Sequence, residues 1–281
     1  MDQPFARTEL LLGPERLRQL QASRVAVFGL GGVGGYVVEG LARCGIGRFL
    51  LVDHDHVAET NLNRQLLATR LTIGRPKVEV ARERILLINP AAEVDCRQVR
   101  YQPGLADTLL ADDLDYLVDA IDTISAKLDL IVEAQRRGIR LISAMGAGNK
   151  LDPTRFEVAD LYATTVCPLA RLLRKKLRPR GVTALKVVYS REPPLPVDGS
   201  RPPLPGNETD TDATAEVEPS GVRRALPGSI SFVPAVVGMI LAGEVVRDLV
   251  GLSRELPVPG HPAAEETEAD GPDTPAAAGE R

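Results

Sequence analysis

The sequence is poor in cysteine and contains no long hydrophobic run. Its three cysteines, Cys44, Cys96 and Cys167, lie far apart, and no two of them form a Cys-x-x-Cys pair. This spacing excludes a disulfide framework and a four-cysteine zinc site built within one chain. The longest apolar stretch, residues 232–242, is too short to span a bilayer. Without a signal peptide at the amino terminus, the sequence predicts a cytoplasmic protein with no membrane span.

An excess of charge of either sign is also absent. The chain has 34 Lys and Arg residues against 38 Asp and Glu residues, a formal net charge of −4 and a pI of about 5.6. No global charge therefore indicates a nucleic-acid partner, and any basic surface must be local. With 281 residues, 44% of them hydrophobic, the chain can form one large domain or one domain with an appendage.

The most informative stretch is a predicted nucleotide-binding β-α-β unit at residues 24–55. A β-branched strand over residues 24–28 breaks at the turn GLGGVG, and a small-residue helix follows to about Arg43. Glycines let the backbone approach a polyphosphate, and the amides and dipole at the helix start favour negative charge. The fingerprint alone is most often an NAD or FAD site, so the nucleotide itself stays open. The predicted phosphate loop contains Gly29, Gly31, Gly32 and Gly34.

Acidic and polar side chains follow this unit. The second strand ends in Asp53 and Asp55, and Asp53 can accept hydrogen bonds from ribose hydroxyls. Pro76 can occupy the first turn of a helix that runs to about Ile88, which puts Lys77 where the dipole gives a cation no help. A polar loop is the simpler interpretation of the intervening residues, but after a nucleotide-binding unit they favour a triphosphate grip. These residues are Asn61, Asn63, Arg64 and Gln65.

The order of the predicted elements indicates the fold class. Further strands at residues 93–99, 116–120 and 140–144 alternate with helices, as in an open, mostly parallel, doubly wound α/β sheet. Ligands of such sheets bind beyond the carboxyl ends of the strands. Carboxylates there, Asp119 and Asp122 among them, can hold magnesium through oxygen ligands. Capping of the next helix is an equally good interpretation of Asp122 alone.

We expect a Rossmann-like core flanked by less regular segments. In the amino-terminal helical lead-in, Leu10, Leu17 and Leu20 can share an apolar side. Residues 191–228 are rich in proline, glycine and acidic residues and are predicted to be a mobile insertion. The apolar helix at residues 233–249 is expected to return and pack on the sheet. The predicted segments are the lead-in (1–23), the core (24–150), a substrate-side extension (151–254) and a disordered tail (255–281).

Residues 167–186 are the most basic stretch of this acidic chain. Their periodicity predicts an amphipathic helix, whose apolar side carries Leu169, Leu172, Leu173 and Leu177. A basic amphipathic helix suggests a phosphodiester partner, although a solvated helix face explains the pattern about equally well. The candidate phosphate-binding side chains are Arg171, Arg174, Lys175, Lys176, Arg178 and Arg180.

Six motifs together resemble the adenylating superfamily of ubiquitin-activating-like enzymes. They are GLGGVG, VDHDHV, TNLNRQ, GRPKVEV, DAIDT and SAMGAGNKLDPTRF. Within this superfamily the chain is similar to the tRNA threonylcarbamoyladenosine dehydratases. The resemblance covers residues 5–189 and resumes at residues 232–249.

The resemblance implies an activity, a set of ligands and a set of residue roles. The reaction would be ATP-dependent dehydration (cyclisation) of threonylcarbamoyladenosine beside a tRNA anticodon, through an acyl adenylate, with Mg²⁺ as cofactor. Asp53 would hold ribose and Asn61 would contact phosphates. Arg7, in the motif FART, would reach into the ATP site of a partner subunit, so the active form would be a homodimer. The implied catalytic residues are Arg64, Lys77, Asp122 and Arg7, with Asp122 supporting magnesium.

Two sequence differences from related enzymes bear on the choice between alternative functions. Activators of ubiquitin-like sulfur carriers usually have paired Cys-x-x-Cys zinc motifs, which this chain lacks. Some dehydratase relatives have a cysteine where this chain has Ser229-Ile230-Ser231, which argues against a thioester or persulfide at that position and leaves a sulfur-relay partner open. We interpret Cys44 and Cys167 as structural. The alternative functions are adenylation of a sulfur-carrier protein, an NAD-dependent oxidoreductase and a non-catalytic RNA-binding scaffold.

Overall fold

A seven-stranded sheet forms the centre of the chain in the computed structural model, which describes residues 4–196, 227–254 and 256. The strand order is β3-β2-β1-β4-β5-β7-β6, and every neighbouring pair is parallel except β7 and β6. The strands are β1 (Arg24–Phe28), β2 (Arg48–Val52), β3 (Glu93–Arg97), β4 (Tyr116–Asp119), β5 (Leu141–Ala144), β6 (Phe156–Asp160) and β7 (Lys186–Ser190). The predicted mostly parallel, doubly wound α/β fold is confirmed.

Helices cover both faces of this sheet. In β1, Val25 and Val27 belong to one hydrophobic core while Ala26 and Phe28 belong to another, because successive side chains point to opposite faces. Burial on both faces explains why the strand reads as one continuous apolar run. The helices are α1 (Ala6–Leu12), α2 (Pro14–Ala22), α3 (Gly34–Arg43), α4 (Lys77–Ile88), α5 (Ala106–Leu109), α6 (Ile124–Arg136), α7 (Pro168–Leu177) and α8 (Phe232–Leu249).

The sequence predicts that the carboxyl-terminal helix α8 returns to pack on the sheet, and in the structure it packs closely on α3. A Cβ atom added at Gly40 of α3 would lie 2.7 Å from the Ala242 side chain, and one added at Gly238 would lie 2.6 Å from Tyr36 Cβ. Neither distance is sterically possible, so both helices need glycine at their contact. The small residues of α8 therefore serve close packing against the helix that follows the glycine turn.

An ionic cluster ties α8 to the sheet. Lys186 of β7 donates to Asp248 at 2.7 Å, and the Tyr116 hydroxyl of β4 donates to the same carboxylate at 2.6 Å. Glu244, which is 1% exposed, lies 3.3 Å from the same ammonium. Burial acts to raise the pKa of Asp248, but the hydrogen bonds from Lys186 and Tyr116 outweigh it and hold the pKa below its usual value.

Several local expectations differ from the structure. Leu17 and Leu20 of α2 are buried, but Leu10 is 88% exposed because α1, beyond the turn at Gly13, buries none of its residues. Strand β6 was not predicted, since its short sequence FEVAD carries two charges and lies at the edge of the sheet. The mobility expected for most of residues 191–228 and the disorder expected for 255–281 fall outside the described residues. None of the helices that the structure describes has the length and apolar content needed to cross a bilayer.

We expect Asp248→Asn to destabilise the fold by about 1–3 kcal/mol at pH 7, because the charge-assisted hydrogen bonds to Lys186 are lost. The folded pKa of Asp248 is depressed, so its contribution is fully present above the unfolded pKa and disappears as the pH falls through the folded pKa. Denaturant unfolding from pH 7 to pH 3 should therefore show the wild type and the variant converging at the acid end. Asp112→Asn, at an exposed position, is the control and should not differ from wild type. A gap that stays constant down to pH 3 would contradict the assignment.

Candidate nucleotide site at the carboxyl edge of the sheet

The strand order reverses between β1 and β4, and the carboxyl edge of the sheet at this point is called the crevice below. The glycine turn follows β1, Asp53 follows β2, and residues 120–122 follow β4, so all three lie at the carboxyl edge of the parallel strands. Open α/β sheets bind ligands at this point. The geometry thus gathers segments that are far apart in the sequence.

The outer glycines, Gly29 and Gly34, shape the turn, and Gly31 between them leaves its surface open. Gly29 has φ 86°, and a Cβ atom there would lie 2.7 Å from the Ala120 carbonyl oxygen. A Cβ atom at Gly34 would lie 1.7 Å from the Gly29 oxygen. The nearest atom to a Cβ at Gly31 is Gln65 Nε2, at 3.9 Å. No side chain caps the start of α3, so its first amides can meet an anion.

Asp53 fixes the glycine turn to the end of β2. The Leu30 amide donates to its Oδ2 at 2.5 Å and the Asp55 amide donates to its Oδ1 at 2.8 Å. Burial raises the pKa of Asp53, against the opposing effects of the Lys77 charge and the two amides. Each carboxylate oxygen can still accept a second hydrogen bond. Ribose binding by Asp53 remains a prediction, and its carboxylate has free acceptor capacity for ribose hydroxyls.

Lys77 forms an ion pair at the start of α4. Its Nζ lies 2.8 Å from Asp55 Oδ2, and the side chain is almost fully buried. The pair explains how a lysine is accommodated at a helix end whose dipole disfavours it. Asp53, His54 and Asp55 are close enough together to hold a cation, but the Lys77 ammonium already pairs with one of the two carboxylates, that of Asp55.

The polar loop of the motif TNLNRQ packs against the glycine turn. The Arg64 side chain lies beside Gly32, where a Cβ atom would be 3.6 Å from Arg64 Cγ. Its guanidinium donates to the carbonyl oxygen of Thr60 at 3.1 Å and to Asn63 Oδ1 at 3.0 Å. Gln65 is 8% exposed and its Oε1 is buried with no partner in the structure, so a donor group on a ligand would satisfy it.

Asn61 has a structural role that its sequence pattern does not show. It is 5% exposed, and its Oδ1 accepts a hydrogen bond from the Ala58 amide at 3.0 Å. This bond closes the short turn that presents Arg64 and Gln65. Phosphate contact by Asn61 remains a prediction, and the side-chain amide nitrogen is the group left to make it.

The two aspartates at the carboxyl end of β4, one in the strand and one after it, have different surroundings. Asp119 is fully buried and accepts hydrogen bonds from Lys127 Nζ at 2.7 Å and Ser143 Oγ at 2.6 Å, so it is not a free metal ligand. Asp122 is exposed at the mouth of the crevice. The residue that caps α6 is Thr123, without a side-chain cap, so Asp122 does not serve that helix as its cap. No local sequence pattern predicts the burial of Lys127, because this helical residue has its hydrogen-bond partners in two strands, β4 and β5.

A short strap, residues 227–231, crosses from β5 to the polar loop. Asn149, with φ 57°, exchanges hydrogen bonds with Gly228 at 2.8 Å and 2.6 Å and accepts another from the Leu195 amide at 2.8 Å. Asn63 Nδ2 donates to the Ser229 carbonyl oxygen at 3.1 Å. The strap leads into α8, whose Pro234 lies against Gly32. The strap therefore forms one wall of the crevice, together with the start of α8.

The basic helix α7 is present, but its charges are not equivalent. Arg174 Nη1 donates to the Thr164 carbonyl oxygen at 2.9 Å, which uses that side chain inside the fold. The helix buries Ala170, Leu173 and Leu177, whereas Leu169 and Leu172 are only half-buried. Arg178 stacks over Tyr162 at 5.2 Å. The exposed cations are Arg171, Lys175, Arg178 and Arg180, with Lys176 half-buried.

The far end of α7 lies away from the crevice. Residue 182, which follows the helix, accepts a hydrogen bond from Tyr162, and Leu185 precedes the first residue of β7. Because β7 is parallel to β5, its first residue lies at the edge opposite the glycine turn. Arg178 and Arg180 are therefore near the opposite edge of the sheet, and only the first turn of α7 is near the carboxyl edge.

Arg7 lies far from the crevice of its own chain. Phe5 packs against Gly45, where a Cβ atom would be 3.5 Å from the phenyl ring. Gly45 follows the carboxyl end of α3, and a helix of ten residues places that end about 15 Å from the glycine turn. A role for Arg7 in the nucleotide site of a partner subunit remains a prediction, and this separation is in line with it.

The cysteines have the environments of structural residues. Burial raises the pKa of Cys44, and burial raises the pKa of Cys96 to about 11. Cys167 is 4% exposed at the start of α7. Raised thiol pKa values disfavour the reactive thiolate at Cys44 and Cys96, in line with the structural role expected for Cys44.

Comparison with known proteins places this geometry in a family. The ThiF family model matches residues 5–267. The tRNA threonylcarbamoyladenosine dehydratase of Bacillus subtilis is 43% identical over 247 residues, which cover 88% of this chain and 94% of that protein. The Escherichia coli tRNA N6-threonylcarbamoyladenosine dehydratase in complex with AMP has a TM-score of 0.75 at 31% identity, covering 88% of this chain and 94% of that one. Its complex with ATP has a TM-score of 0.74 at 30% identity, covering 88% and 93%. The chain therefore belongs to the ThiF family.

Proposed function

We propose that this protein is an ATP-dependent tRNA threonylcarbamoyladenosine dehydratase, acting in the cytoplasm. The observation that carries the proposal is the crevice itself, where a glycine turn, a ribose-type acid, Arg64 and Lys77 converge. An NAD-dependent oxidoreductase would use the turn and Asp53 but would leave Arg64 and Lys77 without a role. The identity to the Bacillus dehydratase over nearly its whole length supports the choice of substrate.

The reaction needs a leaving group before the ring can close. The free carboxylate of the threonylcarbamoyl group attacks the α-phosphorus of ATP, and the bond to pyrophosphate breaks to give an acyl adenylate. The carbamoyl group of the same modification then attacks the acyl carbon and releases a proton, and AMP leaves with one carboxylate oxygen. The sum is loss of water from the nucleoside and conversion of ATP to AMP and pyrophosphate. Ring closure is intramolecular, so a near-attack geometry can replace a protein nucleophile.

Charge neutralisation is the main demand on the protein, because two anions must meet. Arg64 lies against the glycine turn and Lys77 is held by Asp55, so both cations are near the expected position of the phosphates before any ligand binds. Bound phosphate would take over part of the role that Asp55 and the Thr60 carbonyl oxygen now serve. By analogy with an oxyanion-hole donor, loss of one such cation costs about 10²–10³ in rate.

Magnesium fits the donor set at the mouth of the crevice. Asp122 is an exposed carboxylate beside the turn, which is the hard oxygen ligand that Mg²⁺ prefers together with water and phosphate oxygens. When bound, the ion would neutralise phosphate charge. Asp53 and Asp55 are the weaker choice for this ion, since Asp55 is paired with Lys77 and Asp53 already accepts from two backbone amides.

A homodimer is the assembly that gives Arg7 a role. Arg7, Leu10 and Leu11 are three or four residues apart on α1, so they share one face of the helix, and the two leucines are 88% and 83% exposed. An apolar groove of about 560 Å³ runs along α8 from Tyr36, just after the glycine turn, past Met239. We infer that α1 of one copy packs in this groove of the other and brings Arg7 to its ATP. No comparable groove among the described residues is assigned to a sulfur-relay protein.

We expect Arg64→Ala to slow ATP-dependent dehydration strongly, because a phosphate-binding cation is removed. Threonylcarbamoylated tRNA would be incubated with protein, ATP and magnesium, and its nucleosides analysed by mass spectrometry. The wild type should remove about 18 mass units, one water, and the variant should be slower by about 10²–10³. Arg70→Ala, whose side chain is 83% exposed, is the matched control and should retain activity. No mass change, with AMP exchange only after addition of a small carrier protein, would support the sulfur-carrier alternative.

Asp122→Asn should raise the magnesium concentration needed for half-maximal activity, because a carboxylate ligand becomes a neutral amide. The expected change is about tenfold or more, and excess magnesium should restore part of the rate. Pyrophosphate release measured across a magnesium titration gives the result, with Asp112→Asn as the control. An unchanged magnesium dependence would remove Asp122 from the proposed site.

A mixing experiment tests the role of Arg7 in a partner subunit. Arg7→Ala and Lys77→Ala proteins should each be inactive, yet after exchange of subunits they should recover about a quarter of wild-type activity, since half of the dimers would have one intact site. Leu10→Ser/Leu11→Ser should shift the protein to monomers in analytical ultracentrifugation. Its specific activity should be below that of the wild type and should increase with protein concentration, because dimers form again. If the mixture stays inactive while dimers persist, Arg7 does not act across subunits.

A further inference from the structure

A second cleft lies on the same edge of the sheet as the candidate nucleotide site. Its volume is about 480 Å³, within the range of sites for small ligands. Three strand spacings separate β4 from β6, so the cleft is about 14 Å from the loop that carries Asp122. Its principal lining residues are Thr154, Arg155, Glu157, Thr165, Val166 and Arg191.

The antiparallel strand β6 brings two arginines together in this cleft. Phe156, the first residue of β6, pairs with Ser190, the last residue of β7. Arg155 and Arg191 are therefore neighbours at the carboxyl edge, although 36 residues separate them. The Arg191 amide donates to the Arg155 carbonyl oxygen at 2.9 Å, and Arg155 Nη2 donates to the Arg191 carbonyl oxygen at 3.1 Å. Both side chains are exposed.

The cleft also contains an acceptor and an apolar wall. Glu157 accepts a hydrogen bond from the Tyr189 hydroxyl and lies 3.7 Å from Arg191, which leaves it 40% exposed and able to accept more. Val166 is 43% exposed on the rim although it is apolar. Its φ of 60° is costly for a β-branched residue, and such strain is typical of functional segments.

This combination of charges does not suit a bare anion. Asp152 caps the Thr154 turn beside Arg155, so together with Glu157 two carboxylates balance the two guanidinium groups. A ligand that matches the cleft must offer an anionic group, hydrogen-bond donors and a flat apolar surface. A nucleotide of single-stranded RNA offers all three, in its phosphate, its base and ribose donors, and the face of its base.

We propose that this cleft binds an unstacked nucleotide that flanks the modified nucleoside of the RNA substrate. The inference rests on the proposed function, since it assumes an RNA whose reacting base enters the crevice near Asp122. Arg155 and Arg191 contact the phosphate, Glu157 accepts from the base edge or ribose hydroxyl, and Val166 packs on the base. Arg171, in the first turn of α7, lies next to this edge and extends the same path along the backbone.

The first test is tRNA binding by the full-length protein, measured by fluorescence anisotropy over a range of salt concentrations. Arg155→Ala/Arg191→Ala should weaken binding by about tenfold and lower the slope of log affinity against log salt by about one. ATP binding should stay at the wild-type level. The control is Arg16→Ala/Arg82→Ala, which removes the same charge from exposed positions of α2 and α4. Arg155→Lys/Arg191→Lys should recover most of the salt slope, which a loss of folding would not allow.

The second test separates base recognition from charge. Glu157→Gln should leave the salt slope unchanged but abolish discrimination between an anticodon stem-loop and one that lacks a base beside the modified position. The cleft assignment is overturned if the arginine variants bind tRNA as the wild type does, or if the wild type ignores the missing base. Wild-type protein that binds tRNA through the cleft but never dehydrates it would contradict the proposed reaction and leave the cleft assignment standing. Wild-type protein that binds no tRNA would overturn both.

Discussion

The carboxyl edge of the sheet depends on one buried ammonium group. Lys127 is fully buried, and its Nζ donates to Asp119, Ser143 and the Ala144 carbonyl oxygen. A buried charge is tolerated only when it is paired and hydrogen-bonded, and removing one partner of such a pair costs about 3–5 kcal/mol. The network therefore sets the ends of β4 and β5 relative to α6. Because Asp119 also accepts from the Ile121 amide, it fixes the loop that presents Asp122.

In the chain without ligand, the cations expected to bind phosphate already have oxygen acceptors as partners. Lys77 is paired with Asp55, and Arg64 donates to neighbouring oxygen atoms of its own loop. These partners hold the cations in place and limit the side-chain entropy lost on ligand binding. Arg174 shows the contrast, because its bonds to residues 161 and 164 leave it inside the fold. The identity of the partners, more than charge or burial, separates the cations expected to bind phosphate from a structural one such as Arg174.

Sequence patterns predicted the elements whose signals are local. The β-branched strand before the glycine turn, the acids after β2 and the helix that starts at Lys77 all follow from neighbouring residues. The Lys127 network escaped prediction because its members come from three elements, α6, β4 and β5. Strand β6 escaped because a short edge strand needs little apolar sequence. The cleft at Arg155 and Arg191 depends on the antiparallel pairing of that same strand, so it could not be found without the sheet.

Asn149 has a consequence for how the connection between β7 and α8 can change. It bonds to Leu195 and to Gly228, so the described residues on the two sides of residues 197–226 are held to the same side chain and backbone. The entropic cost of holding two chain positions together grows only slowly with the length of chain between them, by about 0.6 kcal/mol for each doubling. Length changes in this segment are thereby thermodynamically uncoupled from the crevice. Evolution can lengthen, shorten or replace it there at little thermodynamic cost, while the strap and α8 keep their places.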